Sequence, residues 1–326
     1  MEVERDESEY VLVARKAGFG LPTSCPSCLP VYIYLRLSKV PFDLRFNLVH
    51  PDSDQIPYVE CGAYVVYNNE KGGVIEGLKR DRIVDLDAGL PSQTIPEWLS
   101  TKAMITSWLA DAVMYELWLG SDLNTAYKIY YSDLPWPIGK IIHFKQTLQA
   151  KQVLGINKGN AERREAEIYR RATMAYEALS TLLGEQKFFL ENRPTSLDAV
   201  FLGHALFTLH VLPETSELRR TLLEHSNLLR YSENLKMEFL DVDTSSSSLP
   251  QTPSDPSSSS APRKPPSRWR TKPQSKPKKE KTKEEKTLRR RAKYFLATQL
   301  IAVLIFFSLM TSSDAEDGGD DLDYDD

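Results

Sequence analysis

The sequence predicts a two-part folded region, α/β first and all-α after it, joined by an unstructured linker to one C-terminal membrane helix. Three observations carry this. Residues 10–80 alternate β-rich runs with helical ones. Residues 94–231 hold helix-start signatures followed by apolar residues at helical spacing. From Asp241 the composition collapses to Ser, Pro and Lys, and a single apolar stretch, Phe295–Met310, follows. With 326 residues, 41 % hydrophobic and 26 % charged, the chain can bury one large or two small cores once the linker is set aside.

The first part begins with YVLVAR at 10–15, a short β-rich run. After a Gly/Pro-rich loop, Leu29, Ile33 and Leu37 share one helical stripe, and Lys39-Val40-Pro41 stops that helix. In DLRFNLV, at 43–49, Leu44, Phe46 and Leu48 alternate with polar residues, as in a half-buried strand. Ile56-Pro57 leads into a strand at 58–61. Gly62 separates it from another at 63–67, and Asn68-Asn69 turns the chain into a helix at 73–80. The order β-α-β-β-β-α is the thioredoxin-like layout, in which the proline before the third strand is usually cis, a form otherwise uncommon.

The second part is read as helices. Thr94-Ile95-Pro96-Glu97 has the spacing of a capping box, in which hydroxyl and carboxylate satisfy each other's backbone amides. The helix it opens places Trp98, Ile105, Trp108, Ala112, Tyr115 and Leu119 on one apolar face. A longer helix at 161–183 ends at Gly184, a fitting C-cap. Thr195-Ser196-Leu197-Asp198 is a second capping box, opening an apolar helix through Phe201, Ala205 and Leu209, and an amphipathic helix runs from 216 to 231.

The tail carries the topology. Phe295–Met310, extended by Tyr294 and Thr311, is just long enough for a bilayer, which needs about 17–25 residues. Residues 263–293 hold 15 Lys/Arg against 3 Glu, and 314–326 hold 8 acids and no base. Since the whole chain carries −4, the first 262 residues carry −8. The basic flank marks the cytosolic side. It also suits anionic lipid head groups, and its place beside a membrane span argues against nucleic acid as its partner. The expected order is a first domain at 1–85, a helical domain at 86–240, a disordered linker at 241–292, a post-translationally inserted anchor at 293–311 and an acidic tail at 312–326. The acidic start, MEVERDESEY, has no apolar run of the kind a secretory signal needs.

A thioredoxin-like part followed by helices resembles the glutathione transferase architecture, whose folding motif the second capping box matches. More specifically, the chain resembles the metaxin family. The residues carrying this are Phe19-Gly20-Leu21-Pro22, Cys28-Leu29-Pro30-Val31, Tyr34-Leu35-Arg36, Leu134-Pro135-Trp136-Pro137, and Arg193 to Ala199 with Gly203-His204. The resemblance implies a cytosol-facing domain without enzymatic activity or cofactor, held on the mitochondrial outer membrane in the sorting and assembly machinery. Its implied partners are the β-barrel insertase subunit and β-barrel precursors.

Two groups of residues compete with a purely structural reading. Cys25-Pro26-Ser27-Cys28 at the start of the first helix resembles the glutaredoxin active site, where a helix N-terminus favours the thiolate. That reading makes the chain a membrane-tethered thiol transferase with Cys25 and Cys28 as catalytic residues. Against it, Lys71-Gly72-Gly73 stands where glutathione transferases carry the acid and hydroxyl that hold the γ-glutamyl group. Zinc at the pair lacks the other ligands of a four-coordinate site. Three cysteines do not make a disulfide framework, the five histidines are scattered, and no P-loop or G-x-G-x-x-G occurs. The second group is Tyr127, Tyr130, Tyr131 and Trp136, either core packing at a helix end or an aromatic patch docking the partner.

Overall fold

The computed structural model describes residues 10–47, 53–120, 123–135, 137–190 and 192–240, together with 294, 298 and 299. The first part contains β1 (Tyr10–Ala14), α1 (Cys28–Leu37), β2 (Phe42–Phe46), β3 (Tyr58–Cys61), β4 (Tyr64–Tyr67) and α2 (Gly73–Arg80). The sheet order is β2-β1-β3-β4. The β1–β2 pair is parallel, with Leu12 opposite Leu44, and the β1–β3 and β3–β4 pairs are antiparallel. Parallel β1 and β2 need a crossover, and α1 supplies it with Leu29, Ile33 and Leu37 buried as their stripe predicted. Ile56-Pro57 is cis. The β2 strand ends at Phe46, earlier than the expected 49.

The helical part contains α3 (Ile95–Met104), a π-helical turn (Ile105–Leu109), α4 (Ala110–Trp118), α5 (Leu123–Tyr130), α6 (Ile138–Val153), α7 (Ala161–Leu183), α8 (Ser196–His210), α9 (Glu217–Leu223) and α10 (Ser226–Phe239). Three expectations need correction. The Thr94 side chain makes no capping bond; its hydroxyl donates to the Pro91 carbonyl at 2.9 Å, a turn of its own. The face expected from Trp98 to Leu119 is rotated, because the π turn inserts an extra residue per turn. Ile105 and Ala112 remain buried, but Leu109, Val113 and Leu117 join them while Trp98, Trp108, Tyr115 and Leu119 are only half-buried. The expected helix at 216–231 is two, broken at Glu224-His225, with Ser216 accepting from the Arg219 amide at its start. Helices α5 and α6 had no counterpart among the sequence expectations.

α8 is apolar nearly all round and buried from Ser196 to Leu209 apart from half-buried Val200, so it forms the centre of the molecule. Its start is the second capping box, and this one forms. Asp198 accepts from the Thr195 amide and hydroxyl, both at 2.8 Å, from the Phe189 amide at 3.1 Å and from the Tyr231 hydroxyl at 2.9 Å. The expected linker, anchor and acidic tail lie outside the described residues apart from 294, 298 and 299. Among the described residues no helix is long and apolar enough to cross a membrane.

Candidate functional site

The two parts share one hydrophobic core, and several of the residues behind the family resemblance, Pro30, Tyr34, Arg193, Ser196 and Gly203, stand where they meet. α1 packs on α8 at a point where a Cβ on Gly203 would come within 2.6 Å of the Pro30 ring. The Tyr34 hydroxyl donates to the Val84 carbonyl at 3.0 Å and accepts from the Leu86 amide at 3.4 Å. Arg193 donates to the carbonyls of Leu86 and Ala88 at 3.0 and 2.8 Å. The Ser196 amide and hydroxyl reach the Asp87 carboxylate at 2.8 and 2.6 Å, and Lys79 pairs with the same carboxylate at 2.8 Å. Burial would raise Asp87, but Lys79 and Ser196 overcome it and hold the carboxyl below its ordinary value. The strand of chain joining the parts is thus clamped from both sides.

Beside this joint lies a cleft of about 510 Å³. Apolar side chains from both parts line it, among them Val31, Ile75, Ile105, Leu117, Val200 and Phe207, and its polar groups are Ser27, Asn68, Lys102, Thr106, Tyr130 and His204. All six polar groups are already engaged, Asn68 with the Asp54 carbonyl, Thr106 with the Lys102 carbonyl, and Ser27 and Tyr130 with Cys25. Lys102 pairs with Glu76, and His204 Nε2 lies 2.6 Å from the Tyr176 hydroxyl. Burial drives His204 down to about 3, so its ring is neutral at physiological pH and does not attract an anion. Gly72 and Gly73, both at positive φ, form part of the cleft wall.

Cys25 and Cys28 are both fully buried, and neither lines the cleft. Ser27 and Tyr130 do line it, and both touch Cys25, at 3.2 and 3.8 Å. Burial would raise the Cys25 thiol, but the Cys28 S–H, the Arg15 guanidinium and the Ser27 hydroxyl hold it well below the ordinary thiol value. Burial and the neighbouring Cys25 push Cys28 well up. A depressed and a raised thiol side by side are the electronic arrangement of an exchange site, yet the sulfur that would attack is enclosed. Among the described residues no three His, Cys, Asp or Glu stand together as metal ligands.

Of the four aromatic residues, the structure brings Tyr127, Tyr130 and Tyr131 into one cluster with Trp118 and His143; Trp136 lies outside the described residues. Trp118 stacks on Tyr130 at 5.5 Å between centroids, and Arg15 sits 4.8 Å over the same ring. Tyr131 is 1 % exposed, so its ring belongs to the core and no partner reaches it in the folded state. Tyr127 is half-buried, with the Lys140 ammonium 4.2 Å over its ring. The sequence reading missed the clamp on Asp87 and the buried Glu116, which accepts from Tyr169, Ser216 and Leu218 at 3.0–3.1 Å. Neither shows a local pattern, because every partner but Lys79 is more than fifty residues away.

A thioredoxin-type sheet and a helical part enclosing an apolar cleft define a protein of glutathione-transferase fold. Residues 26–123 match the family described as glutathione S-transferase N-terminal domain, and residues 172–235 match glutathione S-transferase, C-terminal domain. The Arabidopsis thaliana protein named "Mitochondrial outer membrane import complex protein METAXIN" is 55 % identical over 326 residues, covering 100 % of this chain and 99 % of its own. Mus musculus Metaxin-2 is 25 % identical over 65 % of this chain and 81 % of its own. Among solved structures, a Methylobacterium radiotolerans glutathione S-transferase in complex with glutathione sulfonate aligns with 76 % of this chain and 99 % of its own at 16 % identity, TM-score 0.46. The chain belongs to the metaxin family.

Proposed function

We propose that the chain is a non-catalytic subunit of the mitochondrial outer-membrane sorting and assembly machinery. It is held by a single span at 293–311, with the folded part, its sheet portion at 1–85 and its helical portion at 86–240, facing the cytosol. The observation that carries this is the 55 % identity to an outer-membrane import complex protein over essentially both whole chains, which extends the likeness through the basic linker, the apolar stretch and the acidic tail. Its partners on this reading are the β-barrel insertase subunit and β-barrel precursors. The physical need is plain: an unclosed barrel presents unpaired strand edges that cannot enter hydrocarbon, so a tethered partner at the entry side stabilises the assembly.

Native co-purification from mitochondria tests it. The insertase subunit should accompany the chain, and removal of residues 293–326 should release the chain into the soluble fraction; extraction of the intact chain by alkaline carbonate would overturn the anchor. Docking by the aromatic patch leaves the contact to Tyr127, Tyr130 and Trp136, because Tyr131 is buried. Alanine at any of the three should reduce co-purification while the melting temperature stays within a degree or two, whereas Tyr131→Ala should lower stability. The depressed Cys25 favours a second reading, a tethered thiol transferase using Cys25 and Cys28. A Cys25→Ser, Cys28→Ser variant that restores barrel assembly in cells lacking the protein dismisses it, and glutathione-dependent turnover by the purified chain revives it.

A further inference from the structure

Helix α6 is built inside out. A surface helix of a soluble domain buries its large apolar residues and turns polar ones to water. α6 instead buries Gly139 and Ala150, the small residues, and exposes Ile138 at 50 %, Ile141 at 43 % and Phe144 at 49 %. At 100° per residue, Ile141, Phe144 and half-buried Leu148 fall on one outward stripe. Lys140 and Lys151 flank it on one side and Lys145 on the other, all three exposed. The sixteen residues of α6 contain no acid, and from 123 to 160 five lysines face one acid, Asp133, which Lys16 pairs at 2.5 Å. This is a basic island on a part of the chain that is acidic as a whole.

We propose that the outer face of α6 is a membrane-surface contact, lying on anionic phospholipid with Ile141 and Phe144 in the acyl boundary and the three lysines among phosphate head groups. An apolar stripe flanked by lysines is the pattern of a helix in the interface plane. Charge decides between occupants. A second copy would bring its own Lys140, Lys145 and Lys151 against these, because a two-fold contact sets the same patch on itself, whereas an anionic leaflet complements them. The proposal rests on the tail-anchored reading. On that reading the span at 293–311 ties the chain to the bilayer, so a weak contact at α6 is sufficient. Contact at α6 would also hold the adjoining 127–137 segment at the membrane, where an integral barrel partner is found.

The full chain with photoreactive benzoylphenylalanine in place of Phe144, reconstituted into phosphatidylcholine vesicles with or without phosphatidylinositol, tests the contact. A control carries the probe at Leu223, equally exposed but on α9. Flotation shows whether the chain is anchored, and mass spectrometry identifies the adduct. Phospholipid adducts should form at 144 about tenfold more than at 223, rise with the anionic lipid and fall about tenfold in Lys140→Glu, Lys145→Glu, Lys151→Glu. Equal yields at the two positions in a floated chain, or adducts to a second copy or another protein at 144, overturn the proposal alone. A chain that does not float overturns the anchored reading and this proposal with it.

Discussion

Several of the residues that made this sequence recognisable join the two parts. Pro30 and Gly203 are one contact seen from both sides, and so are Arg193 with the 86–88 carbonyls and Ser196 with Asp87. At Gly203 the constraint is close approach, so Gly203→Ala, which puts a methyl 2.6 Å from the Pro30 ring, should cost about 1–3 kcal/mol, read as a lowered denaturant midpoint with an unchanged slope. Phe19-Gly20 has a different reason: both residues take positive φ, 56° and 73°, in the turn where Gly18 and Leu21 exchange backbone bonds. The cysteine pair shows how burial overrules a favourable charge environment. Iodoacetamide on the native chain should modify partly exposed Cys61 well before Cys25 or Cys28, which should react only on unfolding; labelling of native Cys25 at the rate of Cys61 would show that the site opens and would strengthen the exchange reading.

At the scale of elements, two sequence motifs of the same form had opposite fates. Thr195 and Asp198 build a capping box whose carboxylate also gathers the Phe189 amide and the Tyr231 hydroxyl, tying three segments to the start of α8. Thr94 and Glu97 do not, because Thr94 is already turned to Pro91 and Glu97 is exposed. Thr195→Ala should therefore cost about 1–2 kcal/mol, while Thr94→Ala should stay within about 0.5 kcal/mol; comparable losses in thermal melts would contradict the assignment. The strand and helix order of residues 10–80 was legible because period-2 and period-3.6 patterns are local. For α6 the stripe of Ile141, Phe144 and Leu148 is local too, but that it faces outward while Gly139 and Ala150 are buried is decided by packing. The π turn was likewise invisible, and it moved the buried face of the α3–α4 run by a fraction of a turn.

For the whole molecule, the clamp at 84–88 and the shared core make sheet and helices one unit, and two titrating groups, Asp87 and His204, lie in or beside that joint. His204 has its folded value depressed to about 3 from an ordinary 6.5, so below 6.5 the unfolded chain takes up a proton that the native one refuses. Stability should then fall by about 1.4 kcal/mol per pH unit between roughly 6 and 3. Asp87 is held below its ordinary 3.8. Its contribution is present above 3.8 and is lost as pH falls through the lower folded value, so it affects only the last part of an acid titration. In denaturant titrations of the detergent-solubilised full chain, His204→Gln should flatten the dependence between pH 6 and 4, and Asp87→Asn should lower stability at neutral pH while flattening the dependence below 4. An unchanged slope in His204→Gln would mean that the ring is not enclosed in solution.

What the sequence determined alone was whatever depends on neighbours within a turn or a strand: the element order of residues 10–80, the helix start at Thr195, the C-cap at Gly184, the apolar stretch near the end with charges of opposite sign around it, and through these the family. What only the tertiary structure decided depends on contacts across the chain. Burial would raise the Cys25 thiol, yet neighbouring Cys28 and then Arg15 hold it low, and Tyr130, 105 residues away, lies against its sulfur. Asp87 is fixed by Ser196, and α6 keeps an apolar face to the outside. Burial and pairing between distant segments are set by how elements pack, and no local periodicity encodes them.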